Sequence, residues 1–399
     1  MATQFSQTEG RKWAAPFFTI WSVQAISLLG SQLVRFAIVW YLTVETGSAT
    51  ILATLSLVGS LPGVFLSPFI GTLVDRWNRR VVMIVFDSLT ALTIAILGIL
   101  FFTARVQIWH IYIVTFFNAI FGYFHFAAMQ SSTSLMVPKE QLTRVQGMNQ
   151  TLNGIMSIFS APLGAFLVEI MSIHNIIFID IITAVIAVLP LFFILIPQPI
   201  RTATEKETTV LQDMATGVQY LFSWPGLLIL LIFAAFINFL LAPAFTFVPL
   251  MVKQYFAKGA LELGWMQSAL GVGVTIGGLL LSIWGGFKRQ IYTSFIGVLN
   301  VGIATLVIGL LPTTGFWWSV IAMFWVGLSV SIANGPLFAI MQTTVAPDIQ
   351  GRVFTLLSAV SGAMAPIGLA VAGPLTDILG TTQIWFTIAG TVCTTLALT

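Results

Sequence analysis

Charge is costly inside long apolar runs, so the ionisable residues that interrupt such runs mark where this chain's chemistry must lie. Arg35, Asp87, His125, Glu169 and Asp180 meet that description. At 1.5 Å rise per helical residue, Arg35 lies roughly 28 Å along its run and Asp180 about 9 Å into its own, which runs the other way. Their depths match, with Glu169 slightly further out. Arg35 can therefore pair with Asp180, or with Glu169, in a bond that protonation of the carboxylate would weaken. A permanent structural ion pair is the other reading. Asp87, about 10 Å inside its run, is placed to brace the loop before it. His125 reads as a hydrogen-bonded core residue or as a proton carrier.

Neutral polar groups are also costly in hydrocarbon unless satisfied, so Asn118, Asn153, Asn238 and Asn334 must face water, a ligand or one another. Each asparagine reads either as glue between helices or as a ligand contact. Met364, with Phe121, Phe124, Phe245 and Phe338, offers adaptable apolar lining. The chain has no His-Glu-x-x-His pair and no Gly-x-Ser-x-Gly elbow. Its histidines are scattered and Cys393 is its single cysteine. These absences predict no catalytic residue, no metal, no disulfide and no cofactor.

The elements that position these residues are twelve apolar segments, at 16–45, 49–73, 81–103, 107–129, 143–169, 174–197, 226–252, 261–284, 291–311, 316–340, 351–374 and 381–399. Each suffices for a helix that crosses the roughly 30 Å hydrocarbon layer. Only 7 % of the 399 residues are charged and 58 % are hydrophobic, against about 25 % charged in soluble domains. A polytopic all-α membrane protein follows, with the lipid bilayer as its partner. The runs are about twice too long for barrel strands. A net charge of +3 without a basic patch argues against nucleic acid as a partner. The first segment is too long for a signal-peptide core and reads as a retained helix. The last stops at Thr399, as a short helix or a truncated one.

Arg11, Lys12, Arg76, Arg79, Arg80, Lys139, Arg144, Arg201, Lys206, Lys288, Arg289 and Arg352 fall on one side of this topology. Arg105, Lys253 and Lys258 fall on the other. That asymmetry makes the first side, with both termini, cytoplasmic. The longest polar interval divides the chain into a six-helix bundle at 1–197, a cytoplasmic linker at 198–219 and a second six-helix bundle at 220–399. Across it, Val210, Leu211, Met214, Val218 and Leu221 have the spacing of a helix lying on the membrane surface, or the interval is a plain linker.

The two halves echo one another. Met129-Gln130-Ser131-Ser132 returns as Met341-Gln342-Thr343-Thr344, Arg144 as Arg352, and Ala161-Pro162-Leu163-Gly164 as Ala365-Pro366-Ile367-Gly368. Two six-helix repeats related by an axis along the membrane normal are a transporter architecture, with the substrate site near mid-depth between them.

Gly71-Thr72-Leu73-Val74-Asp75-Arg76-Trp77-Asn78-Arg79-Arg80 resembles the signature loop of the major facilitator superfamily. Asn78 stands where that pattern has its second glycine, and asparagine also tolerates a left-handed backbone. Phe18-Thr19-Ile20-Trp21, Tyr41-Leu42-Thr43, Gly351-Arg352-Val353-Phe354 and Met364-Ala365-Pro366-Ile367-Gly368 are similar to stretches of macrolide-efflux-type bacterial exporters. The resemblance implies a plasma-membrane transporter, a monomer, exporting small amphipathic or hydrophobic compounds by alternating access, usually against protons. Its alternatives are a passive facilitator, or an importer of a small solute, siderophore or lipid. It further implies that Asp75 sits against the start of helix 11, beside Gly351 and Arg352, while Arg76, Arg79 and Arg80 pair with carboxylates. Such contacts would close the cytoplasmic side; topology anchoring is the other role open to the arginines.

In that superfamily helices 2, 5, 8 and 11 pack across the seam between halves. Here they carry small or polar stripes: Ser56, Ser60, Gly63, Ser67 and Gly71; Gln146, Asn149, Gln150, Asn153, Ser157, Ser160 and Gly164; Gln267, Gly271, Thr275, Gly278 and Ser282; and Thr355, Ser358, Gly362, Ala365 and Gly368. Small side chains there allow close approach. The topology is directly testable: Gln107→Cys should react with a membrane-impermeant maleimide on intact cells, whereas Asn78→Cys should react only after permeabilisation.

Overall fold

A computed structural model describes residues 13–198, 224–345 and 350–398. Their regular structure is entirely helical. The long helices are α1 (Ala14–Thr46), α2 (Ala49–Arg76), α3 (Arg79–Phe102), α4 (Ile108–Met136), α5 (Lys139–Ile170), α6 (Ile173–Val188), α7 (Pro225–Thr246), α8 (Ala260–Trp284), α9 (Gln290–Leu310), α10 (Phe316–Thr344), α11 (Gln350–Leu379) and α12 (Gln383–Leu398). Eleven of these are long and apolar enough to cross a membrane, and α12 is a shorter apolar helix. Phe193, Leu195, Ile283 and Ile378 are among many exposed large apolar side chains, as a lipid solvent permits. The expected surface helix around Val210–Leu221 lies outside the described residues.

Where boundaries differ from the sequence reading, the cause is local. The polar run after Met129 was expected to end α4, yet the helix continues to Met136. Its hydroxyls turn back onto their own helix: Ser132 Oγ donates to Ala128 O at 2.6 Å and Thr133 Oγ1 to Met129 O at 2.9 Å. Serine and threonine can thus stay helical in a dry surrounding. α6 ends early, at Val188, and tightens into a 3₁₀ turn, Leu189–Phe192, where Pro190 supplies no N–H. α7 stops at Thr246; after Pro249 the chain winds into a wider π turn, Met251–Tyr255. The internal repeat persists at helix ends. α4 closes with Val137 N–H on Thr133 O at 3.1 Å, and α10 with Val345 N–H on Met341 O at 3.0 Å.

The chain forms two compact units. One comprises Met1–Ile38, Val58–Met156 and Phe166–Glu205; the other comprises Val39–Leu57, Ser157–Ala165 and Lys206–Thr399. In the first unit α3 packs on α4 and α6. Met83, Leu191 and Ala128, all fully buried, form its core with Ile20, Val74, Val82 and Phe124. Arg79 and Arg80 pin this core. Arg79, itself buried, donates from Nη1 to Ser131 O at 3.0 Å. Arg80 donates from Nε to Leu191 O and from Nη2 to Phe192 O, covering carbonyls that the 3₁₀ turn leaves free. The sequence suggested carboxylate partners for these two arginines. The bonds described for them reach backbone carbonyls, those of Arg80 at the prolyl break that ends α6 and that of Arg79 on α4.

In the second unit α8 packs on α10, α9 on α10 and α12, and α7 on α11 and α12. Glycine permits the crossings. A methyl group added at Gly273 would overlap Phe324 O, one at Gly277 would overlap Leu328 O, and one at Gly327 would overlap Leu270 O. α8 and α10 thus meet backbone to backbone, each through its own glycines. Gly297 meets Ala333 in the same way, and Gly390 meets Leu306. The segment of α5 in this unit rests on α8: Gly271 faces Ser157, Gly264 faces Pro162, and Ser268 Oγ donates to Ile158 O. Gly373 of α11 faces Thr50 and Ala53 of α2. The stripes on α5 and α8 therefore do meet, but Gly368 packs on Phe239 of α7 and Gly63 on Tyr123 of α4. Gly327→Leu should lower stability in detergent by about 1–3 kcal/mol. Gly278→Ala, which meets nothing within 4 Å, should hold or raise the melting temperature.

Candidate functional site

The first unit gathers the embedded acids. Asp87 of α3 accepts from Gln24 Nε2 of α1 at 2.9 Å, and His125 Nε2 of α4 lies 3.4 Å from its other oxygen. The His125 and Asp87 side chains are 21 % and 16 % exposed, so the pair is sheltered without being sealed. His125 Nε2 has no hydrogen-bond partner among the described residues. A protonated imidazole there would form an ion pair with Asp87; a neutral one would leave the carboxylate to Gln24 alone. Three helices thus converge on one titratable pair. Asp87, expected to brace the preceding loop, joins α1 to α3 and faces α4.

Asp180 is differently housed. It is 4 % exposed and accepts from Ser31 Oγ at 3.1 Å. Gly30 makes room for it, since a methyl group there would touch Asp180 and Thr183. The expected pair with Arg35 is not formed. Ser31, one turn before Arg35 on α1, faces Asp180, while Arg35 is exposed and has no ion pair among the described residues. Equal depth does not give equal azimuth. Glu169 is exposed at the end of α5.

The asparagines separate into two uses. Asn118 Oδ1 accepts from Thr93 Oγ1 at 2.6 Å, joining α4 to α3. Asn149 Oδ1 takes the Trp21 indole N–H at 2.7 Å, joining α5 to α1. These are ties between helices. Asn153 is exposed on α5, and Met364 is half-buried on α11. The side chains of Gly71, Asp75 and Arg352 lie outside the described residues, and Arg76 is exposed at the end of α2.

Asn238 and Asn334, by contrast, line a single cavity of about 380 Å³ in the second unit, between α7, α9 and α10. Phe233, Phe245, Phe295 and Leu337 contribute to its apolar wall, and none of the described residues that line it is charged. Asn238 Nδ2 donates to Ala234 O of its own helix at 2.9 Å, which leaves its Oδ1 available. Ser294 was not singled out from the sequence; it lines the same cavity with a buried hydroxyl that has no partner among the described residues. Its signal is weak in sequence, because most buried helical serines bond their own preceding carbonyls. A neighbouring cavity of about 310 Å³ is lined by Ser157, Ser160, Gln267, Gly271 and Met323, and shares Phe245 with the first.

Asp377 is a second residue absent from the sequence reading. Near the end of α11, it accepts from Ser48 Oγ at 2.6 Å, Ala49 N at 2.7 Å and Thr50 N at 3.0 Å. A carboxylate in a last helical turn opposes that helix's dipole. Such a misplaced charge points to a partner elsewhere, here the donor-rich start of α2. Gln254 Nε2 reinforces this corner by donating to Gly47 O at 2.7 Å.

A helical chain that holds the buried or half-buried Asp87 and Asp180 in one unit and neutral cavities in the other fits a membrane transporter. The Major Facilitator Superfamily family model matches residues 20–369, and the chain belongs to that superfamily. It is similar to Macrolide efflux protein A of Streptococcus pyogenes, at 33 % identity over 386 residues, covering 97 % of this chain and 95 % of that protein. Multidrug efflux pump Tap of Mycolicibacterium fortuitum is 23 % identical over 366 residues, covering 88 % of this chain and 87 % of its own. Among solved structures, the nucleoside transporter NupG superposes with a TM-score of 0.72 at 14 % identity, covering 96 % of this chain and 97 % of its own. A bacterial homologue of the iron transporter ferroportin gives 0.69 at 16 % identity, covering 96 % and 98 %. The protein is thus a multi-pass membrane transporter related to macrolide and multidrug efflux proteins. Asp377→Ala, which strips the start of α2 of its carboxylate cap, should cost about 0.5–2 kcal/mol in a detergent melt; Asp377→Asn should recover part of that loss.

Proposed function

We propose that this protein exports macrolide-like compounds from the bacterial cytoplasm across the inner membrane, by alternating access coupled to proton entry. The observation that carries this reading is the 33 % identity to Macrolide efflux protein A along 97 % of the chain. The neutral cavities of the second unit suit an apolar, oxygen-bearing substrate. Gly71, Asp75, Arg76 and Arg352 act at the cytoplasmic gate, and both termini face the cytoplasm. The transporter works as a monomer.

Proton coupling rests on Asp87 and His125. A proton carrier must be reachable, and this pair is sheltered but open, whereas Asp180 is closed in against Ser31. Deprotonated Asp87 holds Gln24 of α1 and attracts a protonated His125 of α4. Protonation of Asp87 removes the charge that draws the three helices together, so proton occupancy biases their arrangement. Asp180 serves as a fixed tie between α6 and α1.

Inverted vesicles with an imposed inward-acid gradient test this. Wild-type vesicles should accumulate a radiolabelled macrolide, and Asp87→Asn should reduce gradient-driven uptake at least tenfold while leaving counterflow exchange intact. Asp180→Asn should keep gradient-driven uptake in proportion to the protein present. Full gradient-driven uptake by Asp87→Asn would remove the coupling assignment, and wild-type uptake indifferent to the gradient would make the protein a passive facilitator.

A further inference from the structure

We infer that the cavity between α7, α9 and α10 is a subsite for the uncharged, oxygenated face of the substrate, and that Ser294 donates the hydrogen bond that orients it. The inference rests on the export reading and adds to it the part of the substrate held and the residues that hold it. Three observations converge. First, the cavity has about 380 Å³ and a wall mostly of leucine, isoleucine, valine, alanine and phenylalanine. That volume is at the small end for drug-sized ligands, so it takes one face of a larger molecule.

Second, none of the described residues that line it carries charge. A cation or anion entering would be desolvated with no compensating partner. The charged end of an amphipathic substrate must therefore stay outside the cavity, and what enters is neutral. Third, its polar groups are few and free. The Ser294 hydroxyl is 2 % exposed and unpartnered among the described residues, a state that is costly unless a ligand or water accepts its proton. Asn238 Oδ1 is available, since its bond to Ala234 uses Nδ2. Asn334 supplies an amide with no hydrogen bond to another described residue. One hydroxyl donor and two amides among apolar side chains match an ester, ketone or hydroxyl on a reduced carbon ring. They match a macrocyclic lactone and not a sugar or a nucleotide.

The construction of the site supports a fixed geometry. Gly297 lets α9 press against Ala333 of α10, so the wall bearing Ser294 and the wall bearing Asn334 are held together. The subsite is thus preorganised, which limits the ordering cost of binding.

Equilibrium binding of a radiolabelled macrolide to purified protein in nanodiscs is the test. Ser294→Ala should weaken binding about fivefold, the loss of one hydrogen bond, and Ser294→Thr should restore most of it. Ala234→Phe, which fills the cavity, should weaken binding at least tenfold, provided the variant elutes and melts as wild type does. Unchanged affinity in both Ser294→Ala and a folded Ala234→Phe would overturn the subsite while leaving the export reading standing. A wild-type protein that binds no macrolide would overturn the export reading and the subsite with it.

Discussion

Within hydrocarbon, an apolar side chain gains little by leaving lipid for another helix, so the contacts that hold this protein together must come from elsewhere. In the second unit they come from backbone approach. Gly273 and Gly277 on α8 and Gly327 on α10 let two helices touch main chain to main chain, and Gly297 does the same between α9 and α10. Every added carbon at these points would displace a neighbouring carbonyl or amide. The cavity beside Asn238 and Asn334 depends on this arrangement. Its walls hold their spacing because α9 and α10 are locked at their glycine contact.

Polar groups supply the remaining order, and each is used as a directed bond. Arg80 closes the carbonyls that the Pro190 turn leaves exposed, and Asp377 closes the amides that begin α2. Thr93 with Asn118, Trp21 with Asn149, and Ser31 with Asp180 tie pairs of helices. An unmade bond of this kind has no water to fall back on. Ser294 and His125 Nε2 are therefore informative: each is a buried polar atom for which the described residues provide no hydrogen bond. One lines an uncharged cavity and the other faces the half-buried Asp87 carboxylate. The two belong to different units, so the neutral cavity and the titratable pair are built from separate sets of helices.

Much of this was legible in the residue order. Apolar runs of fixed length marked all twelve helices, because the bilayer sets that length whatever the packing, though the ends of α4, α6 and α7 lay elsewhere. The signature loop at Gly71–Arg80 pointed to the superfamily that the family model confirms over residues 20–369. Errors arose where a local rule met a bond it could not see. Ser131 to Ser134 looked like a helix end and instead folded their hydroxyls back onto α4. Arg35 and Asp180 shared a depth, yet Asp180 went to Ser31 one turn away.

Composition and periodicity by themselves determined a membrane-spanning, all-helical chain with a repeated half and a small set of embedded polar residues. Those properties depend on each segment's own length and hydropathy. The tertiary structure alone decided which polar groups meet: Asp87 with Gln24 and His125, Asp377 with the start of α2, and Asn238 with Asn334 and Ser294 around one hollow. Such pairings depend on the rotation of each helix about its axis. In a chain apolar on nearly every face, hydropathy places a residue in depth but leaves that angle to the glycine contacts and hydrogen bonds between helices.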